Sequence, residues 1–565
     1  MKILLLHCDY IKFKPLKKAL KKIEDLPEQE KQEQKMKDCL VVLSAVESAD
    51  SNVKEVVAKL IENIKDVAKQ VNVKNIVLYP YAHLSKDLSS PEIAINVLEQ
   101  AEKNLKKNFE VVRAPFGYYK EFEMKVKGHP LSELSREIKV ESNEEIYDSK
   151  KLLRDISKTK LDTSKLKDND HRIIGKQMDL FSFNEVAPGM VFWHNNGLII
   201  RNALMDFWRE VHRKEGYEET LTPQIMDAKI WKISGHWDKY KENNFATEYE
   251  KRPFLVKPMN CPGGLLIYKN SPKSYKELPL RSGELGVVHR VELSGTLGGL
   301  FRVIQFTQDD AHIFCTEKQM EEELKKVVEI ANYFYEKFNL KLDHIELSTR
   351  PEKRIGDEKM WDKAEQTLEN VLKKMKVKFQ INEGDGAFYG PKIDFHLKDS
   401  LDRTWQCGTV QLDFSMPERF ELEYTDKDNN KKRPVMIHRV IYGSIERFLG
   451  ILLETTNGRL PTWLAPIQVR VLNFTDRNTE HAKKIVKRLE EKIPNLRIDA
   501  DFKSTTIPAK VKDAELMKIP YILTIGDKEE KENTLTIRIR GNKKLETMSV
   551  EDFEKKLEEE IRGRT

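Results

Sequence analysis

The chain has 565 residues, 39% hydrophobic and 34% charged. At about 100–200 residues per domain, that length calls for three or four domains, and the apolar share excludes disorder of the whole chain. No apolar run approaches the ~18 residues of a bilayer span, which excludes a membrane protein of that kind, and the net charge of 98 − 92 = +6 permits a polyanionic partner without requiring one.

The first apolar run, Met1–Leu6, stops at His7-Cys8-Asp9. It lacks the h-region and cleavage site of a secretory leader, so none is expected. Five scattered cysteines without a C-x-x-C spacing do not form a disulfide framework; a reducing, cytoplasmic location is expected.

Residues 1–135 alternate strand and helix signals. Lys2–His7, Leu40–Val46 and Asn75–Tyr79 are apolar and strand-like. Val53, Val56, Val57, Leu60, Ile61, Ile64, Val67 and Ala68 recur at helical spacing. Ser90-Pro91-Glu92 opens a second helix, with Pro where its missing N–H is harmless. Phe109–Val112 and Phe122–Val126 follow as strands, completing a small α/β domain.

Residues 136–175 change character. From Arg136 to Arg172 ten residues are basic and nine acidic, which predicts a solvated helical linker. Residues 176–465 form a large block with Gly- and Pro-rich loops of the kind that surround a site. Residues 466–565 alternate again, with strands expected at Gln468–Asn473, Arg497–Asp501, Tyr521–Ile525 and Leu535–Ile539. Helices are expected there at Glu480–Lys492, Pro508–Lys518 and Val550–Ile561, a second compact α/β domain.

The middle block carries the chemistry. Cys261, His312 and His438 are candidate metal ligands, but they are remote in sequence, and each read alone is a packed or surface residue. Arg290, Arg302 and Arg447 are candidate phosphate clamps, since the guanidinium fork donates two parallel hydrogen bonds; a lone arginine is more often in a surface ion pair. No P-loop or dinucleotide fingerprint is present. In Phe306–His312, alternation points Gln308, Asp310 and His312 to one strand face, a polar set that an ordinary buried face does not carry without a ligand.

These strings carry a resemblance. Arg290-x-Glu292 resembles motif 2, and Gly443-Ser444-Ile445-Glu446-Arg447-Phe448 motif 3, of class II aminoacyl-tRNA synthetases. The helix Gly197–Lys214 leading to Thr222-Pro223 resembles their dimerisation motif. Met259–Gly263, Phe306–Cys315, Ala387–Ile393, Trp405–Phe414 and Pro461–Pro466 resemble the threonyl-tRNA synthetase family in particular. The N-terminal block resembles that family's archaeal editing domain, akin to D-aminoacyl-tRNA deacylases.

The resemblance implies a multidomain α/β and α+β protein: a deacylase-like editing domain, an antiparallel-sheet class II core and a C-terminal anticodon-binding domain. It implies activation of L-threonine by ATP, with Mg²⁺, and transfer to tRNA-Thr by a homodimer. By that likeness Arg290 grips the α-phosphate and Glu292 reads the adenine amine. Phe306 and Arg447 sandwich the base, and Arg302 reaches the γ-phosphate. Cys261, His312 and His438 become ligands of one Zn²⁺ per subunit, which binds the amine and hydroxyl of threonine. Asp310 accepts from that hydroxyl, and Gln308, Tyr389 and Gln411 hold the amino acid, with Met259, Lys392, Gln406 and Ser444 completing the pocket.

Such a site rejects valine, which leaves polar groups unpaired, by about 10⁴–10⁵. Serine lacks only a methyl, worth about 10–200-fold, so it has to be removed after charging. His83, Tyr119, Lys120 and Glu133 match positions of the editing domain, with Lys120 as a cation near the ester. Glu529 and Arg538 match base-reading positions of the anticodon domain.

The sequence departs from bacterial relatives at Gly264 and Gly298, where they carry His, and at Ile304-Gln305, where they carry Arg-Gly. Ser504 and Lys512 replace their Asn and Arg. Rival readings are a synthetase-like RNA-binding regulator that does not charge tRNA and a free-standing zinc hydrolase. The first would tolerate loss of Arg290, Arg447 or a zinc ligand, and the second would leave the nucleotide arginines idle.

Overall fold

The structure is a computed structural model and describes residues 1–564 except 21, 22, 24, 29, 51, 140–148, 157–165, 240–243, 400 and 401. It divides into two compact units, Met1–Leu152 and Leu153–Thr565.

The first unit is built on one sheet, ordered Glu110–Arg113, Asn75–Pro80, Gln34–Ala45, Lys2–Lys18, Tyr118–Val126, with Glu133–Glu137 also pairing with Lys2–Lys18. The first three strands run parallel, and the connections between them are the helices Val53–Gln70 and Pro91–Leu105. Asn52 and Ser90 cap these helices with side-chain oxygens. The helices bury Val56, Leu60, Ile64, Val97 and Ala101 against Ile3, Leu5, Val42 and Leu78. The opposite sheet face carries its own apolar set, including Leu6, Cys8, Ile11, Phe13, Val41 and Tyr79.

The first strand does not end at His7, as the apolar run suggested, but continues to Lys18. A register shift between Cys8 and Tyr10 exchanges even for odd positions, so Ile11 and Phe13 continue the face begun by Leu6 and Cys8. The stretch 136–175 is likewise folded at both ends. Arg136 and Glu137 lie in a strand and Ile138 is buried, while His171–Gln177 is a helix with His171 and Ile174 buried. Ser149–Ile156 is helical; 140–148 and 157–165 lie outside the described residues.

The second unit is organised by an eight-stranded sheet. Its order is Gln380–Asn382, Leu342–Ser348, Lys392–Lys398, Thr404–Asp413, Val435–Val440, Gln305–Cys315, Leu280–His289, Glu218–Glu219. Pairing is antiparallel from Leu342–Ser348 through Leu280–His289. One face is covered by helices. Met320–Lys337 shows why: three Glu fill its first turn, and Leu324, Val327, Val328, Ala331 and Phe334 form one apolar stripe. That stripe joins Leu204 and Phe207 of Asn195–Lys214 and Phe448 and Leu452 of Ile445–Thr456 in a single core.

The C-terminal part has a five-stranded sheet, Ile498–Asp501, Val469–Asn473, Tyr521–Ile525, Thr534–Ile539, Leu545–Ser549, parallel across the first three strands. Leu545–Ser549 and the short helix Asp527–Glu532 were not expected from the sequence; both are polar and lack a periodic apolar stripe. Among the described residues no helix is long and apolar enough to cross a membrane.

Candidate active site

The sheet face away from the helical core carries a row of polar side chains. Lys392 pairs with Gln411, Gln411 with His438, and His438 with His312, so four residues from four strands stand side by side on one face. Along Gln305–Cys315 the same face presents Gln308 and Asp310 before His312, as alternation requires.

Above this row lies the loop Lys257–Asn260 and the first turn of the helix Cys261–Lys269. It is pinned by a buried ion pair: Lys257 Nζ is 2.7 Å from Glu284 Oε1, and Thr222 donates to the same carboxylate. Asn260 donates to Asp310 across 3.1 Å. This close approach needs Gly286, where a Cβ would sit 2.2 Å from Asn260 Oδ1.

The resulting cavity, about 390 Å³, falls within the ~300–1,000 Å³ range of small-molecule sites. It is lined by Met259, Cys261, Arg290, Glu292, Arg302, Phe306, Gln308, Asp310, Tyr389, Lys392, Gln406, Gln411, His438, Ser444 and Arg447. The structure therefore brings together every residue that the sequence pointed to for ATP and threonine.

The cationic side chains are held ready. Arg447 lies over the cleft with Nε donating to Phe301 O and Nη1 to Gln406 O, both at 3.0 Å. Ser444 caps its helix by accepting from Arg447 N. Arg290 lies 5.3 Å over the Phe306 ring, and Nε of Arg302 is 2.9 Å from Glu292 Oε2. Lys392 is flanked by Asp385 and Asp394, and Asp394 also accepts from Gln406 and Thr409. Tyr389 donates to Gln411. Each of these groups is fixed by a neighbour, which is how a preorganised polar site is built.

Ligand atoms of Cys261, His312 and His438 lie within 4.8 Å of one another, and all three residues are buried. Burial pushes the Cys261 thiol well up and holds His312 at about 4, so the imidazole is neutral at physiological pH. Nε2 of His312 is buried without a hydrogen-bond partner. Nε2 of His438 is 2.8 Å from Asp413, a carboxylate that itself accepts from Ser415 N and Met416 N. One thiol and two imidazoles, one of them oriented by a carboxylate, are a donor set that fits zinc. Gly264 borders it: a Cβ there would lie 3.3 Å from His312 Nδ1.

Asp413, Asn260 and Thr409 are contributors that sequence reasoning missed. Asp413 lay within a quoted string, and its place two residues from Gln411 on the same strand face was the available signal. His171 had none. It bonds Glu454 through Nδ1, accepts from Leu300 N through Nε2 and packs its ring 4.5 Å from Phe301, whose carbonyl holds Arg447.

In the first unit Lys120 donates to the carbonyls of Pro115 and Tyr118 and lies 5.0 Å over the Tyr79 ring. Burial lowers its pKa to about 8. Tyr79 continues to Tyr81 at 6.4 Å and Tyr81 to His83 at 5.4 Å, an aromatic path that leads from Lys120 to His83. Tyr119 is not part of it: as the residue just before Lys120 on the strand it faces the other way, its ring 5.7 Å from Lys17 Nζ. Glu133 is exposed on the Glu133–Glu137 strand, opposite Leu6, and no hydrogen bond joins it to the other three. In the C-terminal domain Glu529 accepts from Gly526 N and from Thr536, two residues before Arg538 on the same strand face. Arg538 is 3.8 Å from Glu515.

An antiparallel sheet backed by helices, with an arginine from a strand end and another from the last helix of the core facing one cleft, defines a class II aminoacyl-tRNA synthetase core. Residues 1–138 match the archaea-specific editing domain of threonyl-tRNA synthetase, 244–456 the class II synthetase core domain for G, H, P, S and T, and 468–560 the anticodon-binding domain. The chain is 52% identical over 395 residues to the threonine–tRNA ligase of Caldanaerobacter subterraneus subsp. tengcongensis, covering 70% of this chain and 61% of that protein. It is 52% identical over 399 residues to that of Desulforamulus reducens, covering 71% and 62%. The chain thus spans about three fifths of the length of these curated relatives. The solved RNA-binding domain of threonyl-tRNA synthetase from Cryptosporidium parvum Iowa II superposes with a TM-score of 0.67 at 40% identity, over 69% of this chain and 98% of that one. The chain belongs to the threonyl-tRNA synthetase family.

Proposed function

We propose that the chain is a threonine–tRNA ligase that activates L-threonine with ATP, transfers it to the 3′ end of tRNA-Thr, and hydrolyses mischarged seryl-tRNA-Thr in its N-terminal domain. The observation that carries this reading is the joining of the Cys261/His312/His438 set to the arginine-lined cleft on one sheet face. Arg290 and Arg447 neutralise phosphate charge, while Phe306 and the Arg447 guanidinium plane offer two faces for adenine. Glu292 receives the adenine amine and Arg302 the γ-phosphate. Gln308, Asp310, Tyr389 and Gln411 orient the amino acid, so that its carboxylate meets the α-phosphorus in line.

Cys261, His312 and His438 would hold one zinc ion per subunit, which supplies Lewis-acid recognition of an amine and a hydroxyl; Mg²⁺ would accompany ATP. Asp413 orients His438, and Asn260 holds Asp310 in place by donating to its carboxylate. In the editing domain Lys120 supplies a cation beside the ester, with His83 at the end of its aromatic path. Glu529, on the helix Asp527–Glu532 and bonded to Thr536, and Arg538, on the strand that carries Thr536, read anticodon bases.

A homodimer is supported by large apolar side chains left exposed on and after the first core helix, Leu198, Leu221 and Ile225. We place the protein in the cytoplasm, in keeping with five free cysteines, all buried.

The test is ATP–pyrophosphate exchange with threonine, serine and valine. Exchange with threonine, weaker with serine and absent with valine, is expected. Exchange with none of the three would favour the non-charging regulator.

A further inference from the structure

Three groups of side chains in the described residues bring metal-ligating atoms within 4.8 Å of one another. The first is the Cys261 set. The second, Asp170, His171 and Glu454, spends its imidazole on the protein: Nδ1 bonds Glu454 and Nε2 accepts from Leu300 N. The third, His344, Glu346 and His396, leaves Nε2 of His396 without a hydrogen bond.

His344 and His396 are register partners on the antiparallel strands Leu342–Ser348 and Lys392–Lys398. Their rings stack in parallel, 4.4 Å apart at 8°. Glu346, two residues beyond His344 on the same face, turns its carboxylate to both rings. His344 Nε2 is 3.0 Å from Oε1 and His396 Nε2 is 3.4 Å from Oε2. Those separations are close to the ~3.3 Å edge of a tetrahedron with metal–ligand bonds of about 2.0–2.1 Å. Nε2 of His396 is buried and has no hydrogen-bond partner.

The surroundings orient the set. Asp343 is the extra residue of a bulge between Leu342 and His344, and its carboxylate lies 2.8 Å from His344 Nδ1. Thr404 donates to that carboxylate. This is the carboxylate–histidine arrangement that directs the other ring nitrogen toward a metal. Asn382, on the neighbouring strand, donates to Glu346 Oε2 across 2.9 Å. The three side chains are partly exposed, which leaves an entry path.

We propose that His344, Glu346 and His396 form a divalent-metal site of two imidazoles and one carboxylate, separate from the Cys261 set and suited to zinc or a neighbouring transition ion. It does not depend on the proposed ligase activity. An ion there clamps the strand that carries Lys392 to its outer neighbour. Glu346 pairs in register with Asp394, which holds Lys392, Gln406 and Thr409 of the cleft.

The test is cobalt reconstitution of the full chain after chelation. Wild type is expected to take up two equivalents of Co²⁺. His396→Ala keeps one, with the near-ultraviolet thiolate-to-cobalt band of Cys261. Cys261→Ser also keeps one, with visible bands but no thiolate band. Asp343→Asn weakens the second equivalent by about 10–100-fold. A wild type that binds one equivalent, lost entirely in Cys261→Ser, overturns the proposal, as does unchanged uptake by folded His396→Ala. Should His396→Ala not fold, the wild-type and Cys261→Ser stoichiometries decide. A wild type that binds one equivalent, retained by Cys261→Ser, would uphold this site and count against the zinc reading of the other.

Discussion

The cleft of the second unit and the surroundings of Lys120 in the first both hold cations, but by different means. In the cleft each charge has a partner. Lys392 sits between two carboxylates, Arg302 pairs with Glu292, and Arg447 is held by two carbonyls. Lys120 has only the carbonyls of Pro115 and Tyr118 and the face of Tyr79, with no carboxylate, and burial drives its pKa down to about 8. Partnered charges stay charged and give position. A desolvated amine with no carboxylate partner gives a protonation state that physiological pH can change. The first region is built for placing a reactant, the second for tuning a single proton.

Five measurements would break or sharpen this contrast. Cys261→Ser should lose bound zinc and threonine-dependent pyrophosphate exchange together, by about 10³-fold or more if the set orients the amino acid. Undiminished zinc content in that variant removes Cys261 from the ligands. Lys120→Ala should slow deacylation of seryl-tRNA-Thr by about 10²-fold while leaving threonine charging within about twofold. The pH profile is the sharper probe. The lowered pKa keeps the ammonium form below about pH 8 and loses it above, so deacylation should decline as pH rises through 8 while charging shows no inflection there. A rate that instead climbs through pH 8 would make the neutral amine the working form.

Glu284→Gln leaves the fully buried Lys257 without its counter-charge. The expected loss is about 3–5 kcal/mol in denaturant unfolding of the second unit, with no effect on the first. A change below ~1 kcal/mol would mean that Lys257 is satisfied by Thr222 alone. Arg538→Ala should have the smallest effect, a several-fold rise in KM for tRNA with exchange untouched, since its nearest acid is 3.8 Å away and the side chain is free to turn to a base.

The parts legible in sequence are those whose signal is local. Tyr521–Ile525 and Val53–Gln70 follow directly from apolar runs and helical periodicity. Lys2–Lys18 was half read, because the shift after Cys8 interchanges the faces of the strand, and alternation counted from Lys2 fails beyond it. Glu133–Glu137 was missed because a strand with one apolar residue in five owes its pairing to its neighbour and not to its own composition. The site divides in the same way. Long strings named the side chains that line the cleft. Among the groups that hold those side chains in place, Asp413 behind His438 had only its strand spacing from Gln411 as a signal, and His171 behind Phe301 acts through contacts between remote segments that no spacing encodes.

The cross-strand row from Lys392 to His312 has an evolutionary corollary. The connections between these strands can lengthen or shorten without disturbing it, because each contributing residue is set by pairing with the next strand and not by its distance along the chain. A single residue inserted inside any of the four strands would instead turn its member toward the helices. Homologues should therefore differ freely in loop size here and hardly at all in strand length.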